Sequence, residues 1–334
     1  MRVFIVTTPY HLIVACALKM ENDYLIIEET DWTKKHFTEE LIKKYFRNKY
    51  ISIWSYRDIF ASPFSARKKF KDIKEKLQSM TNTVPSKIFY FNDADPVVQF
   101  ILNCAMIQTE PVLLEEGIGL YNDMNHRYKI IKKILGKIVL GDWYECINRI
   151  GEYKKTKCII AKTPKKLNDL QLSKNVICNS YSDVDTFINS YNLKRSYGVL
   201  FIGQPLVEDG QCTMKQYLDI IKKCGEIAKE NGLSFCVKTH PREDCKKYNK
   251  IKVNFENNEI PIELLISKNE KNVLMTISSS AILNYTNNKN KTLCVLYPIL
   301  NIKLNEKIFD DQSIYIIRTW NCLINVLGEY VKND

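Results

Sequence analysis

The sequence predicts an α/β protein made of two domains, each a parallel β-sheet covered by helices on both faces. Two observations lead there. Short β-branched apolar runs alternate with stretches of helical spacing along nearly the whole chain, the pattern of strand–helix–strand units rather than of hairpins. That alternation lapses once, in the polar and aperiodic residues 189–197, and then resumes. The length of 334 residues suits about two domains. The reading is an N-terminal Rossmann-like domain over residues 1–190 and a C-terminal one over 196–334, with the strand ends of both facing a central cleft.

Residues 2–6 (RVFIV) make the first buried strand, and Thr8 as N-cap with Pro9 at the first helical position opens a helix over 10–19. Strands follow at 24–27 and 50–54, then a lysine-rich helix with a solvated face over 65–77. The strand 87–91 (KIFYF) runs into Asn92-Asp93, and an apolar helix covers 97–107. The strand 112–114 ends at Glu115-Glu116-Gly117. Residues 126–139 read as a basic amphipathic helix, with Arg127, Lys129, Lys132, Lys133 and Lys137 beside an isoleucine-rich stripe. Strands at 158–161 and 176–178 finish this half.

In the second half, strands at 198–202, 234–237, 251–255, 273–277, 292–297 and 314–317 alternate with helices at 214–229, 261–266, 281–285 and 320–331. Pro241 forbids continuation of the strand 234–237, so Lys238 and His240 fall just beyond a strand end. In parallel sheets that is where ligands bind.

Composition narrows the partners. A net charge of +11, carried mostly by lysine, favours an anionic partner such as a nucleotide or an acidic membrane surface. Nucleic acid is disfavoured, because arginines and aromatics do not interleave. The basic helix 126–139 suits peripheral contact with an anionic membrane. No run reaches the roughly 20 apolar residues of a spanning helix. Thr7-Thr8-Pro9 breaks the only signal-like segment, so a cytoplasmic protein is expected, at most peripheral on the inner membrane face. Eleven cysteines without a CxxC pair, beside four histidines, read as reduced thiols rather than a zinc site.

Four constellations can carry chemistry. Glu115 and Glu116 at a strand end can supply a general base, with Gly117 allowing close approach of a substrate; the same residues also make an ordinary acidic turn. Lys238, His240 and Pro241 join a cation to a titratable imidazole. Ser278, Ser279 and Ser280 lie between a buried strand and a helix, where hydroxyls and N–H groups bind anions; one of them is also a simple cap. Glu263, a lone acid in an apolar setting, suits ribose hydroxyls or a helix start. Asp93-Ala94-Asp95 has the form of a DxD metal clamp, but Asp95 before Pro96 reads better as a helix cap, and no metal site is expected. The chain has neither a GxGxxG fingerprint nor a Walker A motif.

Taken in order, Glu115-Glu116-Gly117, His240-Pro241 and Ser278–Ser280 resemble the acidic-acidic-glycine, His-Pro and serine motifs of bacterial sialyltransferases. Thr7-Thr8-Pro9-Tyr10-His11-Leu12 is similar to the opening of the branch acting on lipooligosaccharide and capsule, the glycosyltransferase family 52 type. The resemblance spans nearly the whole chain. It implies the GT-B fold, CMP-sialic acid as donor, inversion at the anomeric carbon, no cofactor and no required metal. It also implies that an acid of the Glu115/Glu116 pair, Glu115 by preference, deprotonates the acceptor hydroxyl. His240, Ser278 and Ser279 hold the departing phosphate, Lys238 lies near the nucleotide, and Glu263 meets the ribose. The opening residues Thr8, Tyr10 and His11 fall on the acceptor side. Two glutamates stand where family members often have aspartate. A second acidic-acidic-glycine run, Glu208-Asp209-Gly210, follows the strand end at Gln204 and makes Asp209 a rival base.

The expected partners are thus CMP-sialic acid, a galactose-terminated glycan of a bacterial surface polysaccharide or lipooligosaccharide, an anionic membrane and a second copy of the chain. The rival readings are a transferase of the same fold using CMP-Kdo or a UDP-sugar, and a non-catalytic binding protein of the envelope machinery.

Overall fold

The computed structural model describes residues 1–47, 49–60, 63–80, 83–105, 107–121, 129–191, 197–256, 260–266, 270–286, 288–302 and 309–333. It divides into two compact units, Met1–Ile188 and Asn189–Asp334.

Among the described residues the first unit holds seven strands: β1 (Arg2–Val6), β2 (Tyr24–Glu29), β3 (Tyr50–Trp54), β4 (Lys87–Tyr90), β5 (Glu110–Leu114), β6 (Cys158–Ala161) and β7 (Asn175–Cys178). They form one sheet in the order β3-β2-β1-β4-β5-β6-β7, every pair parallel. Its helices are α1 (Pro9–Leu18), α2 (His36–Tyr45), α3 (Tyr56–Phe60), α4 (Pro63–Met80), α5 (Pro96–Cys104), α6 (Lys129–Leu140), α7 (Asp169–Leu172) and α8 (Ser182–Ser190). The second unit holds β8 (Val199–Ile202), β9 (Phe235–Lys238), β10 (Asn254–Glu256), β11 (Asn272–Thr276), β12 (Lys291–Val295) and β13 (Ile314–Ile316), with α9 (Met214–Glu230), α10 (Ile262–Leu265) and α11 (Trp320–Lys332). Its order is β10-β9-β8-β11-β12-β13, again wholly parallel. Each unit therefore has the doubly wound 3-2-1-4-5-6 progression, and the order reverses between β1 and β4 and between β8 and β11.

Burial explains why the strands read as continuous apolar runs. Every residue of β8 and β11 is buried, as expected of central parallel strands covered on both faces. Each unit packs its own core, around Ile5, Tyr90, Leu113 and Ile159 in the first and Phe201, Tyr217, Val273 and Leu293 in the second. Local chemistry sets the helix starts. Thr8 Oγ1 accepts the His11 N–H at 3.3 Å to open α1, and Asp95 Oδ1 accepts the Val97 N–H at 2.7 Å to open α5. Thr213 and Gln216 form a reciprocal capping box on α9.

Several expected boundaries move. Lys238 is the last residue of β9 and is buried, not beyond the strand end, because the ladder to Glu256 and Ile202 continues through it. The strand expected at 251–255 shrinks to Asn254–Glu256, since Cys245–Lys250 is a 3-10 helix capped by Asp244. A 3-10 turn, Ser280–Tyr285, replaces the helix expected at 281–285. Helix α8 enters the segment expected to be a linker, whose residues 192–196 lie outside the described ones. The basic helix is described from Lys129, so Arg127 and the side chains of Lys129, Lys132 and Lys133 lie outside the described residues. Cys16, Cys158, Cys224 and Cys294 are buried, whereas Cys104 and Cys178 are exposed; all eleven are free thiols. Among the described residues no helix is long and apolar enough to cross a membrane.

Candidate active site

In the first unit the reactive residues gather where β1, β4 and β5 end. The two acids after Leu114 point different ways. Glu115 turns inward, and its Oε2 accepts from the Tyr121 hydroxyl and the Lys162 N–H, both at 2.5 Å. Its own N–H reaches Ile160 O and the Tyr181 hydroxyl. Burial and the Glu115 charge raise the Tyr121 phenol, so Tyr121 remains a donor. Glu116 turns outward with its side chain 38 % exposed, and its Oε1 lies 3.0 Å from His11 Nε2.

His11 is buried and stacks flat on Phe91, with centroids 3.9 Å apart. The Thr7 N–H donates to its Nδ1 at 3.2 Å, which leaves the ring proton on Nε2 facing Glu116. Partial desolvation works to raise the Glu116 carboxyl, but its hydrogen bond with His11 holds it below its ordinary value. Thr8 is a cap, Tyr10 is half-buried in the first turn of α1, and the Gly117 carbonyl accepts the Leu120 N–H of the next turn.

The Asp93-Ala94-Asp95 segment is structural. Asp93 is buried and accepts from the Gly151 and Tyr153 N–H groups and the Thr156 hydroxyl, and Asp95 caps α5. Among the described residues no cluster of three His, Cys, Asp or Glu could hold a metal ion.

Asp95 also faces Glu28 at the end of β2. Burial raises both carboxyls, Asp95 to about 6, and the charge of Asp95 raises Glu28 further, so the two share a proton near neutral pH. The Asp95 value lies above its unfolded one near 4, so its contribution to stability is complete below about pH 4 and is lost as pH rises through about 6. Glu28→Gln supplies the shared proton permanently. We expect it to leave the melting temperature nearly unchanged at pH 5 and to raise it at pH 8; equal falls at both would refute proton sharing.

In the second unit the register does the positioning. Ile202 stands opposite both Lys238 and Thr276, so Gln204, His240 and Ser278 follow two residues later on three adjacent strands and leave the sheet at one level. Gln204 clasps two of these ends. Its Oε1 accepts the Ser278 N–H at 2.7 Å and the Thr276 hydroxyl at 3.2 Å, and its Nε2 donates to Ser278 Oγ at 3.1 Å. Ser279 is the cap, with Oγ accepting the Ala281 N–H, and Ser280 begins the 3-10 turn.

The Arg242 N–H donates to His240 Nδ1 at 3.1 Å, so the imidazole presents Nε2–H. Burial, assisted by Arg242 and Lys238, pushes the His240 pKa down to about 4, and the ring is neutral at pH 7. Lys238 donates to Thr239 O at 2.9 Å; burial lowers its pKa to about 8 against the opposing pull of Glu263, Cys245, Glu243 and Glu256. Glu263 sits half-buried on α10, and Pro241 is exposed.

Glu243, which the sequence reading passed over, organises this loop. Its side chain is fully buried and accepts from the His240 N–H at 2.6 Å and from the Tyr217 and Tyr248 hydroxyls and Lys247 Nζ at 2.8 Å. Only a glycine fits beneath it: a Cβ on Gly203 would stand 2.5 Å from Glu243 Oε2 and 3.0 Å from Lys238 O. Nothing in the spacing of His240-Pro241-Arg242-Glu243 signals this role, because the partners come from α9 and the 3-10 helix. The rival acid Asp209 is held by Arg242 in a two-pronged pair at 3.0 Å, and Glu208 pairs with Lys247 at 3.1 Å. That acidic run braces the His-Pro loop. The bidentate guanidinium occupies both Asp209 oxygens.

Two parallel α/β units of this strand order are the GT-B architecture, and solved structures share it. An alpha/beta-galactoside alpha-2,3-sialyltransferase from Photobacterium phosphoreum matches with a TM-score of 0.52 and 12 % identity, over 94 % of this chain and 97 % of that one. A UDP-GlcNAc 2-epimerase from Methanocaldococcus jannaschii matches with a TM-score of 0.55 and 12 % identity, over 100 % and 94 %. The calicheamicin glycosyltransferase CalG4 matches at 0.52 and 11 %, over 99 % and 89 %. At such identities these structures establish the fold alone. No curated protein sequence matches the chain. The family profile Alpha-2,8-polysialyltransferase (POLYST) matches residues 2–295, and the chain belongs to that family. It is a sialyltransferase with the GT-B fold.

Proposed function

We propose that this protein transfers sialic acid from CMP-sialic acid to a glycan hydroxyl with inversion. The observation that carries the reading is the common level at which Gln204, His240 and Ser278 leave the second sheet. A neutral imidazole presenting Nε2–H, a clasped serine and a capping serine make an array of donors for a phosphate, and Lys238 adds a cation beneath it. In the reaction the acceptor oxygen bonds to the anomeric carbon while the bond to CMP breaks, its electron pair going to the phosphate oxygen. The charge grows where these donors point, and the His240 Nε2–H donates a hydrogen bond to the departing phosphate while the ring stays neutral. Glu263 near Lys238 suits the ribose hydroxyls.

The acceptor proton goes to Glu115. Its Oε2 is pinned by two donors, which fixes the carboxylate, and its low exposure strips it of competing water. Glu116 is the weaker base because His11 lowers its carboxyl; it orients the acceptor instead. The family's name supports a sialylated acceptor in α2,8 linkage, and the likeness of the opening residues supports a galactose-terminated surface glycan.

The test is incubation with CMP-sialic acid and, in parallel, lactose, sialyllactose and oligosialic acid, with EDTA present. Release of CMP with a longer product from one acceptor supports the reading and identifies the terminal sugar. Transfer from CMP-Kdo or a UDP-sugar in place of CMP-sialic acid would replace the donor assignment. Binding of CMP-sialic acid without turnover on any acceptor, unchanged in Glu115→Gln and His240→Asn, would make the chain a non-catalytic binder.

A further inference from the structure

Away from the strand ends, α4 packs on α6 and leaves an open cavity of about 310 Å³ between them. Its floor is aromatic. Phe70, Phe100 and Trp143 form a three-ring cluster with centroids 4.7 to 5.4 Å apart. Its rim is cationic: Arg67, Lys71 and Lys74 are exposed at positions i, i+4 and i+7, one stripe of α4. Glu75 lies 3.7 Å from Lys71 and is the acid paired with this stripe. The other wall is Ile138, which is 66 % exposed, with Ile134 one turn before it at 54 % and exposed Lys137 beside them.

Exposed isoleucines one helical turn apart normally belong in a core. Here they flank a cationic stripe at the mouth of an aromatic-floored cavity. We infer that this α4–α6 face docks the protein on an anionic lipid bilayer, Ile134 and Ile138 entering the headgroup region while Arg67, Lys71 and Lys74 meet the lipid phosphates. Charge complementarity selects the occupant: the chain carries +11, and each cation near an anionic surface adds attraction without needing a fixed partner. Long exposed side chains over an apolar floor suit a fluid sheet of phosphates, whereas a single soluble anion is held by buried donors. The inference does not depend on the donor or acceptor assigned above.

Flotation of the full chain with phosphatidylcholine vesicles, with and without phosphatidylglycerol, tests it. The expected result is binding only with phosphatidylglycerol, weakening as salt rises. The triple change Arg67→Glu, Lys71→Glu, Lys74→Glu should weaken partitioning by roughly a hundredfold or more. The pair Ile134→Asp and Ile138→Asp should also release the protein, with the cations intact. A control with equal charge loss on α9, Lys215→Glu, Lys222→Glu, Lys229→Glu, should stay bound, and all variants should retain transfer to a soluble acceptor. No binding by the parent chain, equal binding to neutral vesicles, or equal loss in the α9 control would overturn the inference. So would capture of a soluble acidic oligosaccharide that the α4 variant alone abolishes, which would make the cavity a glycan site. If the triple variant fails to fold, the isoleucine pair decides the outcome.

Discussion

Glu115→Gln is expected to lower kcat by roughly a hundred- to ten-thousand-fold while leaving the fold and the affinity for CMP intact, the usual worth of a positioned general base. Gln keeps an oxygen for the Tyr121 hydroxyl and the Lys162 N–H, so the local structure survives and only the proton acceptor is lost. Glu116→Gln should behave differently. It removes the charge from the contact with His11 Nε2 and weakens it, which should raise KM for the acceptor more than it lowers kcat. Asp209→Asn loosens the grip on Arg242 and should raise KM for the donor with little change in kcat. Steady-state kinetics on the three variants give three distinct patterns. If Glu116→Gln or Asp209→Asn shows the large kcat loss and Glu115→Gln does not, the base has been misassigned.

Removing the carboxylate of Glu243 should destabilise the protein more than any substitution at a catalytic position. Glu243→Ala leaves the ammonium of Lys247, 1 % exposed, with the more open Glu208 as its ion-pair partner and strips acceptors from two buried tyrosines and the His240 N–H. Breaking one side of a buried pair costs about 3–5 kcal/mol, which should be plain in urea unfolding of the second unit. Glu243→Gln keeps an acceptor for the His240 N–H and should recover part of the stability. It should also recover part of kcat relative to Glu243→Ala, because the imidazole is again held in place. Gly203→Ala attacks the same group by overpacking and should fall between the two. A Glu243→Ala protein as stable as its parent would show that this hub is not what fixes the loop.

These contrasts mark where the sequence was readable. Parallel central strands are continuous apolar runs, so β1, β6, β8 and β11 could be placed to within a residue, and Pro9, Thr8 and Asp95 declared their helices by capping chemistry. Strand ends then pointed to Glu115, Glu116, His240 and Ser278, because in such sheets the segment after a strand carries the ligands. Pairings across the fold were not readable. His11 and Glu116 meet although 105 positions separate them, and Glu243 finds Tyr217 from a helix that precedes it. Lys238 reads as a cation just beyond a strand end and Lys247 as a solvated lysine in a polar stretch, yet both are buried beside carboxylates. The strand expected at 251–255 failed for a related reason: apolar residues there close a 3-10 turn over the core instead of extending a ladder.

Each unit owns its own parallel sheet and its own apolar core cluster. Change can then accumulate in the loops of one half without unsettling the packing of its companion. Under the proposed assignment of the donor to the second unit, hybrids that exchange whole halves near residue 189 are a natural way to retune what is sialylated.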